Sequence, residues 1–379
     1  MALGVAVILV VLAASLSGAR AARAQVPPET AGSAASPKCT PRASAGGGFV
    51  GVTAQDILMQ NTAFRECSLN QLAKAHVGVL REAFYWAGIE TAPGEYHFGP
   101  QDDYVADAAR RKMSVLPVLL WAPDFRSTAP ASGRKHGFYP PRNPSDMGQF
   151  AAVLAKRYGP NGGFWQANPQ LPYHPITSWQ IWNEPNLPVY WADGPNPAAY
   201  AQLLRAAADG IHSVDPQADI VTAGLPYSAD RRTMSPEKFL RGMYAAGARG
   251  SFTTLAVHPY SDTVKRMVVA LARMRRVLAR NGDRAVQIWV TEVGWASGGP
   301  RSVFTVSPKR QAQLIGQSVR VLAHQRRRLR LRGLVIYNIR DSKPNPGDHD
   351  FWAFHAGLFD LKGRAKPAVK SLRAAARHL

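Results

Sequence analysis

The chain is poor in cysteine and in acidic residues, and it has no apolar run long enough to cross a bilayer. Two cysteines in 379 residues, Cys39 and Cys67, exclude a disulfide framework. Their spacing fits no metal site, and neither lies near a strand-end motif where a catalytic thiol would act. No glycine-rich phosphate loop follows the first strand-like run, which counts against a nucleotide-binding open sheet. No nucleophile elbow supports a serine-histidine-aspartate reading. No repeat of solenoid length is visible. The longest apolar run, residues 2–16, has about 15 residues where about 20 are needed to span a membrane.

That apolar run has a different use. It is followed by small residues with Arg20 and Arg23, and Ala22-Arg23-Ala24 fits the small-x-small pattern of signal peptidase. Residues 1–24 are therefore expected to be a signal peptide cleaved before Gln25, with the mature protein secreted or held at the cell surface. The start departs from the pattern in lacking Lys or Arg. Residues 25–48, rich in Pro, Ser, Ala and Gly, read as a linker or arm. In an exported chain, Cys39 and Cys67 are expected to form one disulfide, tying this arm to the first helix of the fold.

The scarcity of acid leaves a net charge of +21, or +19 without Arg20 and Arg23. Such an excess suits an anionic polymer, but arginines on solvated helix faces give the same number, and that reading is preferred. No base-stacking or groove-reading motif accompanies the charge, so nucleic acid is excluded as a partner. No obligate protein partner is evident.

From residue 49 onward, short apolar runs rich in β-branched residues alternate with longer helical patterns. Eight strands are expected, at 49–53, 77–82, 114–121, 178–183, 219–225, 254–260, 286–291 and 333–338. The clearest helices fall at 149–157, 197–214, 236–246, 263–281, 308–328 and 366–378, several opening with Pro or a Ser, Asp or Asn cap. Strand then helix, eight times, predicts a single-domain (β/α)8 TIM barrel over residues 49–379. The loops 124–146 and 159–175 are long; the first leaves a strand tip and is the better candidate for a cleft wall.

In such a barrel, chemistry sits at the C-terminal tips of the strands. Two glutamates stand there: Glu184 in Ile181-Trp182-Asn183-Glu184-Pro185, and Glu292 in Trp289-Val290-Thr291-Glu292-Val293-Gly294. Paired carboxylates are the minimum for breaking a glycosidic bond, one as acid/base and one as nucleophile. An acid must stay protonated near neutral pH, and the apolar strand with Trp182 offers Glu184 a desolvating surface. Asn183 is placed to bond a sugar hydroxyl. Arg81, at the tip of the second strand, is a cation that can hold Glu292 ionised. His258 and Tyr260, two apart on the sixth strand, share a face. Trp86, Trp121, Trp295 and Tyr337 fall at tips or in the loops beyond, where aromatic faces stack on sugars; Trp121 and Trp295 lead. Residues 347–350 (Gly-Asp-His-Asp) resemble a metal cluster, but adjacent positions rarely converge on one ion. No metal and no cofactor are expected.

These residues resemble the retaining glycoside hydrolases of the large (β/α)8 clan that carry acid/base and nucleophile on strands four and seven. The residues that match are Arg81, Asn183-Glu184-Pro185, His258-x-Tyr260 and Glu292. The run 182–191 (WNEPNLPVYW) and Thr291-Glu292-Val293-Gly294-Trp295 look closest to family 39, with families 5 and 42 sharing the clan. The resemblance implies the fold, retention, a carbohydrate substrate and the two glutamate roles, with neither the sugar nor the linkage. Tyr337-Asn338 departs from the tryptophan many clan members have on strand eight. No C-terminal β-sandwich of the family 39 xylosidases is visible, which leans toward endo action. Two other readings remain open at this point: a non-catalytic carbohydrate-binding barrel, and a surface-tethered protein that binds an anionic polymer. Hydrolysis and transglycosylation share the covalent intermediate, so the sequence leaves both open.

Overall fold

The computed structural model describes residues 47–54, 57–130, 139–344 and 349–379. The expected signal peptide, most of the arm, Cys39, and Gly347 and Asp348 of the suspected metal cluster lie outside the described residues.

Eight parallel strands close into a barrel. They are β1 (Val50–Thr53), β2 (Val79–Tyr85), β3 (Ser114–Leu120), β4 (Ser178–Ile181), β5 (Asp219–Val221), β6 (Thr254–His258), β7 (Gln287–Val293) and β8 (Leu331–Ile336). Each pairs with the next in sequence, and β1 returns to β8 with Val50 opposite Leu334. All eight match expected strands within a few residues. The largest differences are at β2, which runs three residues further, and at β5, which stops at Val221 and resumes in the short pairing Leu225–Pro226 beside β6.

The helices between them are α1 (Thr62–Lys74), α2 (Gly99–Ala109), α3 (Pro144–Tyr158), α4 (Pro197–His212), α5 (Pro236–Ala245), α6 (Val264–Arg280), α7 (Pro308–Leu329) and α8 (Pro367–Ala376). Their starts are chemically explicit. Asn61, Asn196, Ser235, Thr263 and Ser307 each accept a hydrogen bond from a first-turn amide, and six helices carry Pro where its missing N–H costs nothing. α3 begins five residues before the expected start because Asn143-Pro144 supplies such an entry.

Inside the barrel, Val79, Leu116, Val221, Ala256, Trp289 and Val335 form one packed layer. Gly51 completes it on β1: a Cβ there would lie 3.0 Å from Val79 and 3.1 Å from Val335. Because side chains alternate along a strand, the residues two further on share this inward face one layer nearer the C-terminal end. Those residues include Arg81, His258, Thr291 and Tyr337, so the hydrophobic layer is the floor on which the polar cluster stands.

Candidate active site

Glu292 reaches the barrel interior through a register shift. Val290 faces Leu334 and Val293 faces Ile336, so β7 has one residue more than β8 over this stretch. A bulge of this kind re-aims the side chains within it. Glu184 arrives by a different route. Beyond the end of β4, Trp182 and Glu184 hold φ of 70° and 44°. That left-handed backbone is costly for residues with a Cβ and is found where a site fixes the chain. The Glu184 amide donates to Gly224 O at 3.2 Å. Gly224 is also what admits His258: a Cβ there would lie 1.9 Å from His258 Nε2.

The two carboxylates are wired differently. Arg81 Nη1 donates to Glu292 Oε1 at 2.6 Å, and the Tyr260 hydroxyl donates to Glu292 Oε2 at 2.8 Å. Arg81 is itself fixed by Gln180 Oε1 at 2.7 Å and Asn183 Oδ1 at 2.8 Å. Glu184 Oε1 has His258 Nδ1 at 2.7 Å, while its Oε2 has no protein partner. His258 also lies 3.7 Å from Glu292 Oε2. Both carboxylates are buried.

Burial dominates at Glu184 and raises its pKa above the usual carboxylate range; the negative charge of Glu292 adds to this, and His258 opposes it only in part. Burial alone would raise Glu292 too. His258, the Arg81 charge and the hydrogen bonds from Tyr260 and Arg81 outweigh it and hold Glu292 below the usual range. One carboxyl is thus pushed toward the protonated form and its neighbour held ionised.

Glu184, His258 and Glu292 offer donor atoms within 4.8 Å of one another, a set that a metal ion can in principle use. Its chemistry fits poorly. Glu292 already has its charge balanced by Arg81, and both of its oxygens are engaged, Oε1 by Arg81 and Oε2 by Tyr260, so an ion would have to displace one of these contacts. Of the suspected cluster at 347–350, Asp350 faces His355 Nε2 at 2.9 Å.

The aromatics divide. Trp121 is half-buried and meets Tyr85 edge to face, with ring centroids 5.3 Å apart. Trp86 and Trp295 are fully buried and present no face to a ligand, contrary to the sequence expectation. Trp86 stacks on Phe150 of α3 and donates to Glu90 at 2.5 Å; Trp295 donates to Ser261 O at 2.9 Å and so joins the loops after β6 and β7. Tyr337 is buried too, against the Tyr260 ring, with centroids 6.5 Å apart. Tyr260, Tyr190, Leu187, Phe304 and Trp352 belong to the same cluster, and Tyr190 feels the charge of both glutamates. Cys67 is buried on α1, its expected partner lying outside the described residues.

Gln180 was not anticipated as part of the site. Its signal was present: a polar residue in the middle of an apolar strand must find a buried partner. Gln180 finds three: it accepts from Arg81 and donates to Thr222 O at 3.0 Å and to Thr291 Oγ1 at 3.5 Å.

No family model matches the chain, and no curated protein matches it in sequence. Solved structures do. A family 39 glycoside hydrolase from the gut symbiont Bacteroides cellulosilyticus superposes with a TM-score of 0.63 at 17% identity, covering 87% of this chain and 63% of that one. A family 39 β-xylosidase from Caulobacter crescentus gives 0.60 at 16% identity, over 88% of this chain and 72% of that one. A GH5_18 structure from Streptomyces cattleya, bound to GlcNAc, gives 0.60 at 16%, over 88% and 80%. The fold is that of these glycoside hydrolases. The resemblance to family 39, with family 5 beside it, therefore holds at the level of the barrel.

Proposed function

We propose that this chain is a retaining O-glycosyl hydrolase in which Glu184 is the acid/base and Glu292 the nucleophile. The observation that carries the reading is the opposed pair: two buried carboxylates with oxygens within 4.8 Å, one driven up in pKa and the other held down. Retaining enzymes keep their carboxyls about 5–5.5 Å apart, while inverting ones leave about 6.5–9.5 Å for a water. Retention rests on the resemblance of the strand-end residues to the retaining clan, and the closest oxygens of the pair, within 4.8 Å, are compatible with it.

In the first step Glu292 attacks the anomeric carbon and forms an ester to it. The bond to the leaving oxygen breaks, and Glu184 gives that oxygen its proton through Oε2, the atom with no protein partner. In the second step Glu184 takes a proton from water, which attacks the same carbon and releases Glu292. Arg81 and Tyr260 keep Glu292 ionised and aimed; His258 orients Glu184. Asn183 and the open face of Trp121 are assigned to substrate.

The expected pH profile follows from the two shifts. Activity is lost as pH falls through the lowered pKa of Glu292 and as it rises through the raised pKa of Glu184. A plateau wider than two ordinary carboxyls allow is therefore expected in kcat/KM. Tyr260→Phe removes one charge-assisted hydrogen bond, typically about 1.5–3 kcal/mol. The expected outcome is a fall in kcat/KM of roughly ten- to a hundredfold, with the acid limb moved to higher pH.

Secretion and the Cys39–Cys67 disulfide belong to the same proposal, as does endo action, which rests on the resemblance alone. Thiol alkylation of the mature protein before and after reduction tests the disulfide: modification of both cysteines without reductant would refute it. The function itself is tested on a panel of neutral and acidic polysaccharides. Xylan and GlcNAc-containing glycans come first because of the neighbours named above. Reducing ends released by the wild type and not by Glu292→Gln are the expected result; equal release by both would refute the assignment, and product size distinguishes endo from exo action.

A further inference from the structure

The positive charge is not spread evenly over the molecule. From Val264 to Arg332 the chain holds sixteen of its 46 Lys and Arg but only two of its 25 Asp and Glu, and so carries +14 of the net +21. Neither acid offsets that surface. Glu292 is buried in the candidate site, and Asp283 is engaged by the Tyr244 hydroxyl and Arg249. A general arginine bias would raise the charge throughout; here twelve of the sixteen lie on two neighbouring helices, six on α6 and six on α7, neither of which carries an acid.

On α6, Arg266, Arg273 and Arg280 recur every seven residues, with Arg276 between them, and all four are exposed. Seven residues of helix rise about 10.5 Å, close to one disaccharide of an extended sugar chain. On α7, Arg310, Arg320 and Arg327 are exposed along a helix of 22 residues, roughly 33 Å long. Asp262 pairs with Arg266. Among the described residues no acid pairs with Arg273, Arg276, Arg280, Arg320 or Arg327. At the lower end of α6, Arg275 is half-buried, and its Nε and Nη2 have no protein partner. Burial and the neighbouring Arg330 bring its pKa down to about 10, so it remains charged at neutral pH.

We propose that the outer wall formed by α6 and α7 is a docking surface for an anionic polysaccharide, one bearing carboxylates or sulfates at regular sugar intervals. The choice of a sugar polymer over other polyanions rests on the glycosidase reading; the surface does not. Neither helix contains Phe, Tyr or Trp, which removes the stacking platform of single-stranded nucleic acid. Val269 is the one exposed large apolar residue on the two helices, too little to insert into lipid. Guanidinium groups in a row match carboxylate or sulfate bidentately. The surface lies on the outside of the barrel, apart from the carboxylate pair, so it holds polymer near the enzyme without occupying the cleft.

The test measures binding of the mature chain to polygalacturonate, to dextran, to duplex DNA and to phosphatidylglycerol vesicles, in the Glu292→Gln background so that no polymer is cleaved. Polygalacturonate should bind most tightly, with affinity falling as salt rises through the range that screens exposed charges. R273E/R276E/R280E should weaken that binding at least tenfold while leaving the circular dichroism spectrum unchanged. R320E/R327E supplies the same test from α7 should the first variant misfold. Wild-type affinity in a folded variant would overturn the proposal, as would DNA or vesicles binding as tightly as polygalacturonate. Loss of turnover on the polysaccharide panel would sink the glycosidase reading and leave this binding result standing.

Discussion

Glu292→Gln should fold like the wild type and lose at least about 10⁴-fold in turnover, the scale on which an enzyme loses rate when its covalent nucleophile is removed. The amide keeps the shape of the carboxylate: its one oxygen can still accept from Arg81, whose donor lies 2.6 Å from Oε1, while its NH2 takes the place of Oε2 and donates to the Tyr260 hydroxyl oxygen, 2.8 Å away. It cannot form the ester to the anomeric carbon. The stability effect should be far smaller than the catalytic one, because Arg81 keeps Gln180 and Asn183 as partners. Thermal unfolding and a reducing-end assay on the same preparation distinguish the two effects. A variant that turns over like the wild type would remove Glu292 from the chemistry; one that fails to fold would make it a structural partner of Arg81.

Glu184→Gln should behave differently, and the difference is the more informative result. It removes a proton donor, a contribution of typically 10²–10⁴-fold. The loss should be large on a polysaccharide, whose leaving alcohol needs a proton, and small on an aryl glycoside whose phenol leaves without one. The alkaline limb of the pH profile should disappear, since it reports loss of the Glu184 proton, while the acid limb set by Glu292 stays. An equal loss on both substrates would point to a positioning role for Glu184 through His258, which stands 2.7 Å away.

Much of this was readable from the residues. The helix starts announce themselves through Asn196-Pro197, Ser235-Pro236 and Ser307-Pro308, where cap and proline are adjacent. The eight strands are short apolar runs, and Arg81, His258 and Tyr260 stand out as polar groups at their tips. The orientation of single residues was harder. A one-residue change of parity turns a side chain to the opposite face, and both glutamates sit where parity fails: Glu292 in the register shift of β7, Glu184 beyond a left-handed residue. Their convergence was therefore inferred from the chemistry, and periodicity alone does not give it. Trp86 and Trp295 show the opposite outcome. Their places near strand tips suggested sugar contact, yet each turns its ring into the packing between elements and satisfies its indole N–H there, on Glu90 and on Ser261. The break in β5 was equally hidden. The segment Thr222-Ala223-Gly224 reads as strand, but the Gly224 position is filled by the His258 ring.

The distribution of charge separates two things that composition merges. A net charge of +21 suggests an affinity but no place for it. The fold places most of the excess on α6 and α7, outside the barrel, while the site itself combines one arginine with two carboxylates. If both proposals hold, substitutions at the carboxylate pair and on the α6–α7 wall should act independently, the first on turnover and the second on polymer binding.

The most direct test of the central claim is covalent trapping. The mature protein would be incubated with a set of activated 2-deoxy-2-fluoro glycosides of xylose, glucose, mannose and N-acetylglucosamine type, then read by intact mass and peptide mapping. The account predicts that at least one sugar adds once, on the peptide containing Glu292, and that Glu292→Gln takes up none. A label on another residue, or hydrolysis with inverted anomeric configuration and no adduct, would contradict it.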